Sequence, residues 1–449
     1  MSRKAHAALL VALAAGPFAP SAAAAPPEPL SRRLPAAVAD AQRIVERIRG
    51  VPFRAPVASS LLPERELPRV LEKKLLEDLP VAFDKYAAAL TAVGLIEPTP
   101  DLARKVVNLY SRQVVGFYDP KERRFYVVPE RAGASPPSAE EGSAEASAMV
   151  EEALLVHELT HALQDQRLDL ARRMKGLRES SDSLLALQAF LEGEATVVMA
   201  EALLDRVPPE SRALLPADSL AQMLQGLSAT GASAMEEGDG VPEYFVKELL
   251  FPYVAGTAWI QGRRGAGASR SPADGWAAVD AAYRRLPQTT SEILHPDRAV
   301  AFRLRLPDAR RPAPSELPEG TRPLFPDTFG EWVLKTLLEN AGAGESAPTL
   351  AAAWQDDRIL FFERPGTTGH QIGFLWRIRV STPEDAARLA EALEPLYTDR
   401  PPSVRPSIRT DGDVVEVCRG VHRATAAPPV TELPGPASPP AGSGRAGSR

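Results

Sequence analysis

Residues 153–163 read Ala-Leu-Leu-Val-His-Glu-Leu-Thr-His-Ala-Leu, an apolar run that contains two histidines and a glutamate. Apolar side chains on most faces predict a helix buried in the protein, where imidazoles need polar partners. His157 and His161 are four residues apart, so a helix places both on one face, close enough to share a zinc ion. Glu158 lies beside them, where its carboxylate could take a proton from a zinc-activated water. The run therefore predicts a zinc-dependent hydrolase, and among hydrolases it favours a peptidase.

A chance pattern on a solvated helix is the competing interpretation of this run. The whole chain of 449 residues holds only six histidines. Two of them fall at ligand spacing with a glutamate between them, and the surrounding leucines and alanines do not form a solvated surface. The zinc site is therefore the better interpretation of the segment.

Composition limits the class of protein. The chain is 44% hydrophobic and 24% charged, which is typical of globular domains, and its length allows two or three of them. The formal net charge of -6 provides no basic surface, so the sequence predicts no nucleic-acid partner. A single cysteine, Cys418, excludes an internal disulfide framework and is interpreted as a buried strand residue.

The first residues predict export. Arg3 and Lys4 precede an apolar run from Ala7 to Ala15, and small residues from Ser21 to Ala25 follow it. This order predicts a signal peptide over residues 1–25 and a periplasmic or extracellular protein. The apolar run is about half of the roughly 20 residues that a membrane-spanning helix needs. We therefore expect no stable membrane insertion.

Changes in composition divide the chain beyond the signal peptide into five segments. They are an N-terminal helical region (26–110), a domain with the zinc helix (111–306), a linker rich in proline and charge (307–326), a C-terminal α+β domain (327–421) and a disordered tail (422–449). Two β-rich runs on either side of Asp119-Pro120 predict a hairpin ahead of the zinc helix. This hairpin could pair with an extended peptide or only cover the core. The expected fold class is α+β.

The third zinc ligand must come from another part of the chain. His295, His370 and His422 lie more than a hundred residues downstream of the motif. Glu192 and Glu194, in contrast, lie 31 and 33 residues after His161 on the next predicted helix. A returning helix would bring one of these carboxylates to the metal. Helix geometry does not choose between them, because positions two apart point to nearly opposite sides.

These motifs resemble those of the gluzincin clan of zinc metallopeptidases, in which a glutamate on the helix after His-Glu-x-x-His is the third ligand. Many members carry it as the first residue of Glu-Gly-x-Ala, here residues 192–195. The resemblance therefore implies a mainly helical zincin-like metallopeptidase domain with Zn2+ bound by His157, His161 and Glu192, and Glu194 as the alternative. A secreted bacterial branch of the clan whose substrates are uncharacterised also has a segment like Thr289–Pro296.

A second segment resembles the aminopeptidase N family of this clan. That family places a tyrosine that stabilises the transition state in Pro-Tyr-x-x-Gly, and this chain has Phe251-Pro252-Tyr253-Val254-Ala255-Gly256. Tyr253 would then donate its hydroxyl to the oxyanion, although an aromatic residue that only packs explains it equally well. The Gly-x-Met-Glu-Asn type motif of exopeptidases is not visible in the chain, so aminopeptidase specificity is not implied.

Two further residues are candidates near the site. His295, in a proline-bounded turn, could be a second oxyanion donor, as a downstream histidine is in thermolysin-like enzymes, or it could cap a loop. Asp165, one turn after His161, could orient that imidazole or mark a polar helix end. The predicted partner is a peptide or protein substrate. Two alternatives stay open: a secreted binding protein with a structural or idle zinc site, and a zinc amidase acting on cell-wall peptides.

Overall fold

The computed structural model describes residues 30–77, 79–132, 144–207, 210, 240–265, 272–297, 305–366, 369–401 and 404–420. These residues form an α+β fold with a mainly helical first part, a small sheet within it, and a larger sheet with helices towards the C-terminus. The predicted α+β class is therefore confirmed. The predicted signal peptide, the predicted tail and residues 133–143, between the predicted hairpin and the His-Glu-x-x-His motif, lie outside the described residues.

The first part of the chain is built from helices of very different length. They are α1 (Leu30–Arg49), α2 (Leu67–Glu77), α3 (Phe83–Val93), α4 (Leu102–Gln113), α5 (Ala144–Leu168), α6 (Leu170–Gly176), α7 (Ser181–Asp205), α8 (Glu243–Arg264), α9 (Pro272–Ala282) and α10 (Thr290–Leu294). Helix α1 packs by one face against α5 and α7. Its buried side chains recur every three or four residues, as a one-sided helix requires: Leu34, Val38, Ala41, Val45 and Ile48.

Helix α7 is the central helix of this part. It is long and apolar enough to cross a membrane by length and composition, and 83% of its apolar stretch is buried inside the structure. Helices α5 and α8 pack against it. Its first turn is capped by the side chain of Ser180, which accepts a hydrogen bond from the backbone N–H of Ser183. Because other helices enclose the middle of α7, Glu192 and Glu194 on it are buried.

The small sheet lies beside α5, the helix of the His-Glu-x-x-His motif. Its strands are β1 (Ala58–Leu61), β2 (Gly116–Asp119) and β3 (Arg124–Val127), in the order β1-β3-β2. Strands β2 and β3 are antiparallel and form the hairpin expected from the sequence. Strand β1 is parallel to β3 and was not predicted. Among the described strands β2 is an edge, and it packs against α5.

The second sheet is antiparallel throughout and belongs to the C-terminal domain. The elements there are β4 (Arg322–Asp327), α11 (Gly330–Asn340), α12 (Ala347–Ala351), β5 (Trp354–Gly366), β6 (Gly369–Val380), α13 (Pro383–Leu393), α14 (Pro395–Thr398), β7 (Ser407–Asp411) and β8 (Val414–Arg419). The strand order is β4-β5-β6-β8-β7. Cys418 lies buried on β8, as expected.

The start of this domain differs from the prediction. Residues 322–326 were assigned to the linker, but they pair with β5 as part of β4. Pro323 and Pro326 suggested a linker because proline donates no backbone hydrogen bond. Strand β4 is at the edge of the sheet, where a missing N–H is tolerated. The predicted linker of 307–326 is therefore too long at its C-terminal end.

The C-terminal domain is bound to the N-terminal end of α7. The backbone N–H of Ser181 donates to Asp327 Oδ1 at 2.8 Å, and that of Asp182 donates to the Thr328 carbonyl at 3.0 Å. Asp182 Oδ1 in turn accepts from the backbone N–H of Thr290 at 2.8 Å. These buried bonds fix the positions of α7, α10 and the second sheet relative to one another.

Candidate metal centre

Three side chains meet between α5 and α7. The Nε2 atoms of His157 and His161 are 3.2 Å apart, and Glu192 Oε2 is 3.2 Å from the first and 3.4 Å from the second. The two histidines come from consecutive turns of α5 and the carboxylate from α7. Their exposed fractions are 3%, 0% and 4%. Three potential ligand atoms therefore converge on one buried point.

The triangle that these atoms form fits a zinc ion. A tetrahedral zinc ion about 2.0–2.1 Å from each nitrogen or oxygen ligand requires the ligand atoms to be about 3.3 Å apart. The observed separations are 3.2, 3.2 and 3.4 Å. Two imidazoles and one carboxylate are also a ligand set that catalytic zinc sites use. The donor geometry therefore fits the metal that the sequence predicts.

Glu158 lies next to the triad with one oxygen bonded and the other unpaired. The backbone N–H of Tyr118, on β2, donates to Glu158 Oε2 at 2.7 Å. Within the described residues Glu158 Oε1 has no hydrogen-bond partner, although the side chain is fully buried. A buried carboxylate oxygen without a donor needs an explanation, and a catalytic role or a bound ion is one. The small sheet thus orients the carboxylate and leaves one oxygen available.

The charges of the site are strongly coupled. Burial raises the pKa of Glu158 to about 8, and the nearby Glu192 adds to this effect. Burial also opposes the charged form of His161 and of Glu192, but their mutual attraction is stronger. It raises the pKa of His161 to about 9 and holds the pKa of Glu192 well below its usual range. Glu192 is therefore an ionised carboxylate beside a positively charged His161.

The structure separates the two candidate third ligands. Glu192 contacts both imidazoles, whereas Glu194 is directed elsewhere. Glu194 accepts hydrogen bonds from Arg49 Nε at 2.6 Å, from Gln164 Nε2 at 2.9 Å and from the Tyr283 hydroxyl at 2.5 Å. The carboxylate of Glu194 is thus occupied by three donors and is not part of the triad.

Tyr253 lies against the site because α7 and α8 cross in close contact. A Cβ on Gly193 would lie 2.2 Å from the carbonyl carbon of Gly256, and one on Gly256 would lie 1.9 Å from the Ala189 carbonyl oxygen. Both positions therefore require glycine. One turn before Gly256, the ring of Tyr253 stacks on His157 with centroids 6.3 Å apart and planes at 21°. The glycines of the two motifs explain how this tyrosine reaches the metal centre.

Asp165 does not orient His161. Its Oδ2 accepts from the Tyr118 hydroxyl at 2.9 Å, and its Oδ1 accepts from the backbone N–H of Leu170 at 2.7 Å. The contact with His161 Nδ1 is made instead by Gln164 Oε1, at 2.9 Å. Residues three and four positions after His161 share its side of the helix, and side-chain rotamers decide which one turns towards it. Gln164 therefore makes the contact with His161 for which Asp165 was the candidate.

His295 lies outside the triad. Its Nε2 is 2.6 Å from Glu331 Oε1, on α11 of the C-terminal domain, and the side chain is 30% exposed. Thr289 caps the short helix α10 ahead of it by accepting from the backbone N–H of Glu292. His295 itself follows the last residue of α10, and its backbone N–H donates to the Ser291 carbonyl. This agrees with the alternative interpretation, in which His295 caps a loop. No described contact brings His295 to His157, His161 or Glu192.

Three residues of the site, which are Arg49, Tyr118 and Gln164, were not identified from the sequence. Gln164 and Arg49 are fully or almost fully buried polar residues, and Tyr118 supplies only its backbone N–H and its hydroxyl. Gln164 could have been suspected, because it lies one turn after His161 in an apolar helix. Nothing local marks Arg49, which reaches Glu194 across 145 residues of sequence.

Comparison with known proteins adds a family match at the C-terminus. Residues 322–426 match a family model described as a domain of unknown function (DUF8575). The match begins at β4 and covers the second sheet, and the metal centre lies outside it. No curated protein and no solved structure matches the chain.

Proposed function

We propose that this protein is an exported zinc-dependent hydrolase that cleaves peptide bonds. One observation carries the proposal: the triad of His157, His161 and Glu192 lies beside a carboxylate, Glu158, that has one buried oxygen without a partner. A site that only binds metal for stability has no use for such a carboxylate. A hydrolase needs it to move a proton.

Zinc at this site would supply a Lewis acid that activates water and polarises the scissile carbonyl. His157, His161 and Glu192 would hold the ion. The Tyr118 N–H fixes Glu158 Oε2, so Oε1 is the atom that would take the proton from water and deliver it to the leaving amine.

Tyr253 would donate its hydroxyl to the carbonyl oxygen as negative charge develops there. The stacking of its ring on His157 supports this assignment. His295 has no such support, because its described partner is Glu331. We therefore keep Glu158 and Tyr253 in the mechanism and leave His295 out of it.

A second candidate is a structural zinc site in a secreted binding protein. The observation that favours it is burial, since none of the three ligand side chains is more than 6% exposed. Structural zinc sites are closed, whereas catalytic sites keep one position open. The unpaired Glu158 oxygen argues against this candidate, and an activity measurement distinguishes the two.

The test is Glu158→Gln in the full chain, incubated with a diverse peptide mixture. Removal of the general base should lower hydrolysis by about a hundred- to ten-thousand-fold and leave the zinc content unchanged. Glu152→Gln is the matched control, because Glu152 is on the same helix but pairs with Arg206 at the surface. Unchanged hydrolysis by Glu158→Gln would rule out the mechanism. A zinc-loaded wild-type protein without any hydrolysis would favour the structural site.

Tyr253→Phe tests the oxyanion role separately. Loss of one donor to a developing oxyanion lowers kcat by about a hundred- to a thousand-fold. The zinc affinity should stay the same, because the ring that stacks on His157 is retained. A wild-type kcat in this variant would show that Tyr253 only packs against the site.

A further inference from the structure

Gln164 is a buried amide placed between the metal centre and a second carboxylate. Its Oε1 is 2.9 Å from His161 Nδ1, and its Nε2 donates to Glu194 Oε2 and to the Leu191 carbonyl, each at 2.9 Å. The side chain is fully buried. All polar atoms of the amide are therefore engaged in the protein interior.

These partners determine which way the amide points. A backbone carbonyl only accepts hydrogen bonds, so the NH2 group must face the Leu191 carbonyl, and it then also reaches Glu194 Oε2. The amide oxygen then faces His161, and it also only accepts. His161 Nδ1 must therefore keep its proton, and Nε2 is the nitrogen that gives up its proton and binds a metal. This is the tautomer in which Nε2 faces His157 and Glu192.

Glu194 is held in turn by helix α1. Arg49, the last residue of α1, donates through Nε to Glu194 Oε1 at 2.6 Å, and neither side chain is more than 1% exposed. Arg49 Nη2 donates to Asp280 Oδ1 at 3.0 Å, and its guanidinium lies over the ring of Trp276 at 4.0 Å. The guanidinium only donates hydrogen bonds, so Glu194 Oε1 is the acceptor of this bond and Glu194 Oε2 is left to face Gln164.

We propose that Arg49, Glu194 and Gln164 form a positioning chain that holds His161 in its metal-binding tautomer, which makes helix α1 a part of the metal centre. The inference rests on the proposed function, since it assumes that the triad binds metal. It goes further by assigning Glu194 to orientation and not to ligation.

The experiment measures the zinc Kd of the full chain by competition with a chelator, for Gln164→Met and for a control. Met keeps the length of Gln and removes its hydrogen bonds. Loss of a partner that orients a ligand weakens metal binding by about 10- to 100-fold. Gln166→Met should leave the Kd unchanged, because Gln166 lies on the same helix but bonds to Arg54 and Ala55.

An exchange of the two side chains separates orientation from packing. Gln164→Glu alone places two carboxylates against each other, and Glu194→Gln alone removes the charge that anchors the amide. Both single variants should bind zinc more weakly. In the double variant the new carboxylate at position 164 again accepts from His161 and the new amide at position 194 donates to it, although the Leu191 carbonyl loses its donor and the rescue is therefore partial. The Kd should therefore return towards the wild-type value.

The possible results distinguish this inference from the proposed function. A Kd for Gln164→Met within error of the wild-type Kd would overturn the positioning chain alone. The same holds for a double variant that binds no better than the single variants. If the wild-type protein binds no zinc at all, the proposed function fails, and the positioning chain fails with it. If Gln164→Met does not fold, the exchange variants decide the question.

Discussion

The metal centre and the cluster around Asp357 are both buried and polar, but their oxygen atoms are bonded very differently. Asp357 Oδ1 accepts from the backbone N–H of Gly330 at 2.8 Å and from Trp354 Nε1 at 2.9 Å. Its Oδ2 accepts from the backbone N–H of Phe329 at 3.0 Å and from Trp376 Nε1 at 2.8 Å. Four fixed donors thus satisfy this carboxylate completely.

In the metal centre the polar atoms of the triad are paired with one another instead. Two imidazole nitrogens and a Glu192 oxygen converge, and Glu158 Oε1 has no partner among the described residues. A buried carboxylate with all its donors in place stabilises the fold by itself. The triad has the ligand atoms that a cation would complete, as proposed above. On that proposal, the contrast is between a structural cluster and a binding site within one chain.

Asp357→Ala should give the largest effect on folding. It leaves four buried donors without an acceptor, and each unpaired group costs about 1–3 kcal/mol. Allowing for relaxation, we expect the free energy of unfolding to fall by about 4 kcal/mol. Chemical denaturation measures this loss. Asp308→Ala, at a side chain that is 99% exposed, should stay within about 0.5 kcal/mol of wild type. A stable Asp357→Ala variant would contradict the structural role.

Zinc should stabilise the metal centre and leave the Asp357 cluster unaffected. With free zinc at about 100 times the Kd, the free energy of unfolding should rise by about 2.7 kcal/mol, since only the folded chain offers the triad. Thermal unfolding with and without chelator measures the difference. The double variant His157→Ala and His161→Ala should show no response to zinc. An equal response in that variant would place the metal elsewhere.

Gly193→Ala should have a smaller effect that also reaches the metal centre. The new methyl group would overlap the backbone of α8 at Gly256, and overpacking of this kind costs about 1–3 kcal/mol. Because α8 carries Tyr253, hydrolysis should fall as well. Gly262→Ala is the control on α8, since a Cβ there meets nothing within 4 Å. It should gain about 0.5–1 kcal/mol from the better helix former. Equal stabilities of the two variants would show that the crossing is not tight.

Local patterns in the sequence predicted the two clusters to different extents. The spacing of His157 and His161 and the apolar helix around them indicated two ligands of the metal centre, because helix periodicity is a short-range property. The third, Glu192, was implied only by the resemblance of Glu-Gly-x-Ala to the gluzincin motif. The contacts of Tyr118 with Glu158 and of Arg49 with Glu194 span 40 and 145 residues. No local pattern predicts such contacts, since tertiary packing determines them.

The same limit explains the elements that were missed. Strand β1 has the sequence Ala-Ser-Ser-Leu, which carries little β-propensity, and its parallel pairing with β3 is long-range. Strand β4 contains two prolines that its edge position tolerates. Asp357 lies in a β-rich stretch in which nothing indicates that four donors surround it. Its role became visible only once the sheet had placed Trp354 and Trp376 beside it.

X-ray absorption at the zinc edge of the purified, zinc-loaded chain tests the central claim most directly. The account predicts one zinc ion per chain with only nitrogen and oxygen neighbours at about 2.0–2.1 Å, two of them imidazoles. It also predicts that the signal is lost in the double variant His157→Ala and His161→Ala. A sulfur neighbour at about 2.3 Å, or an unchanged spectrum in that variant, would contradict the assignment of the metal centre.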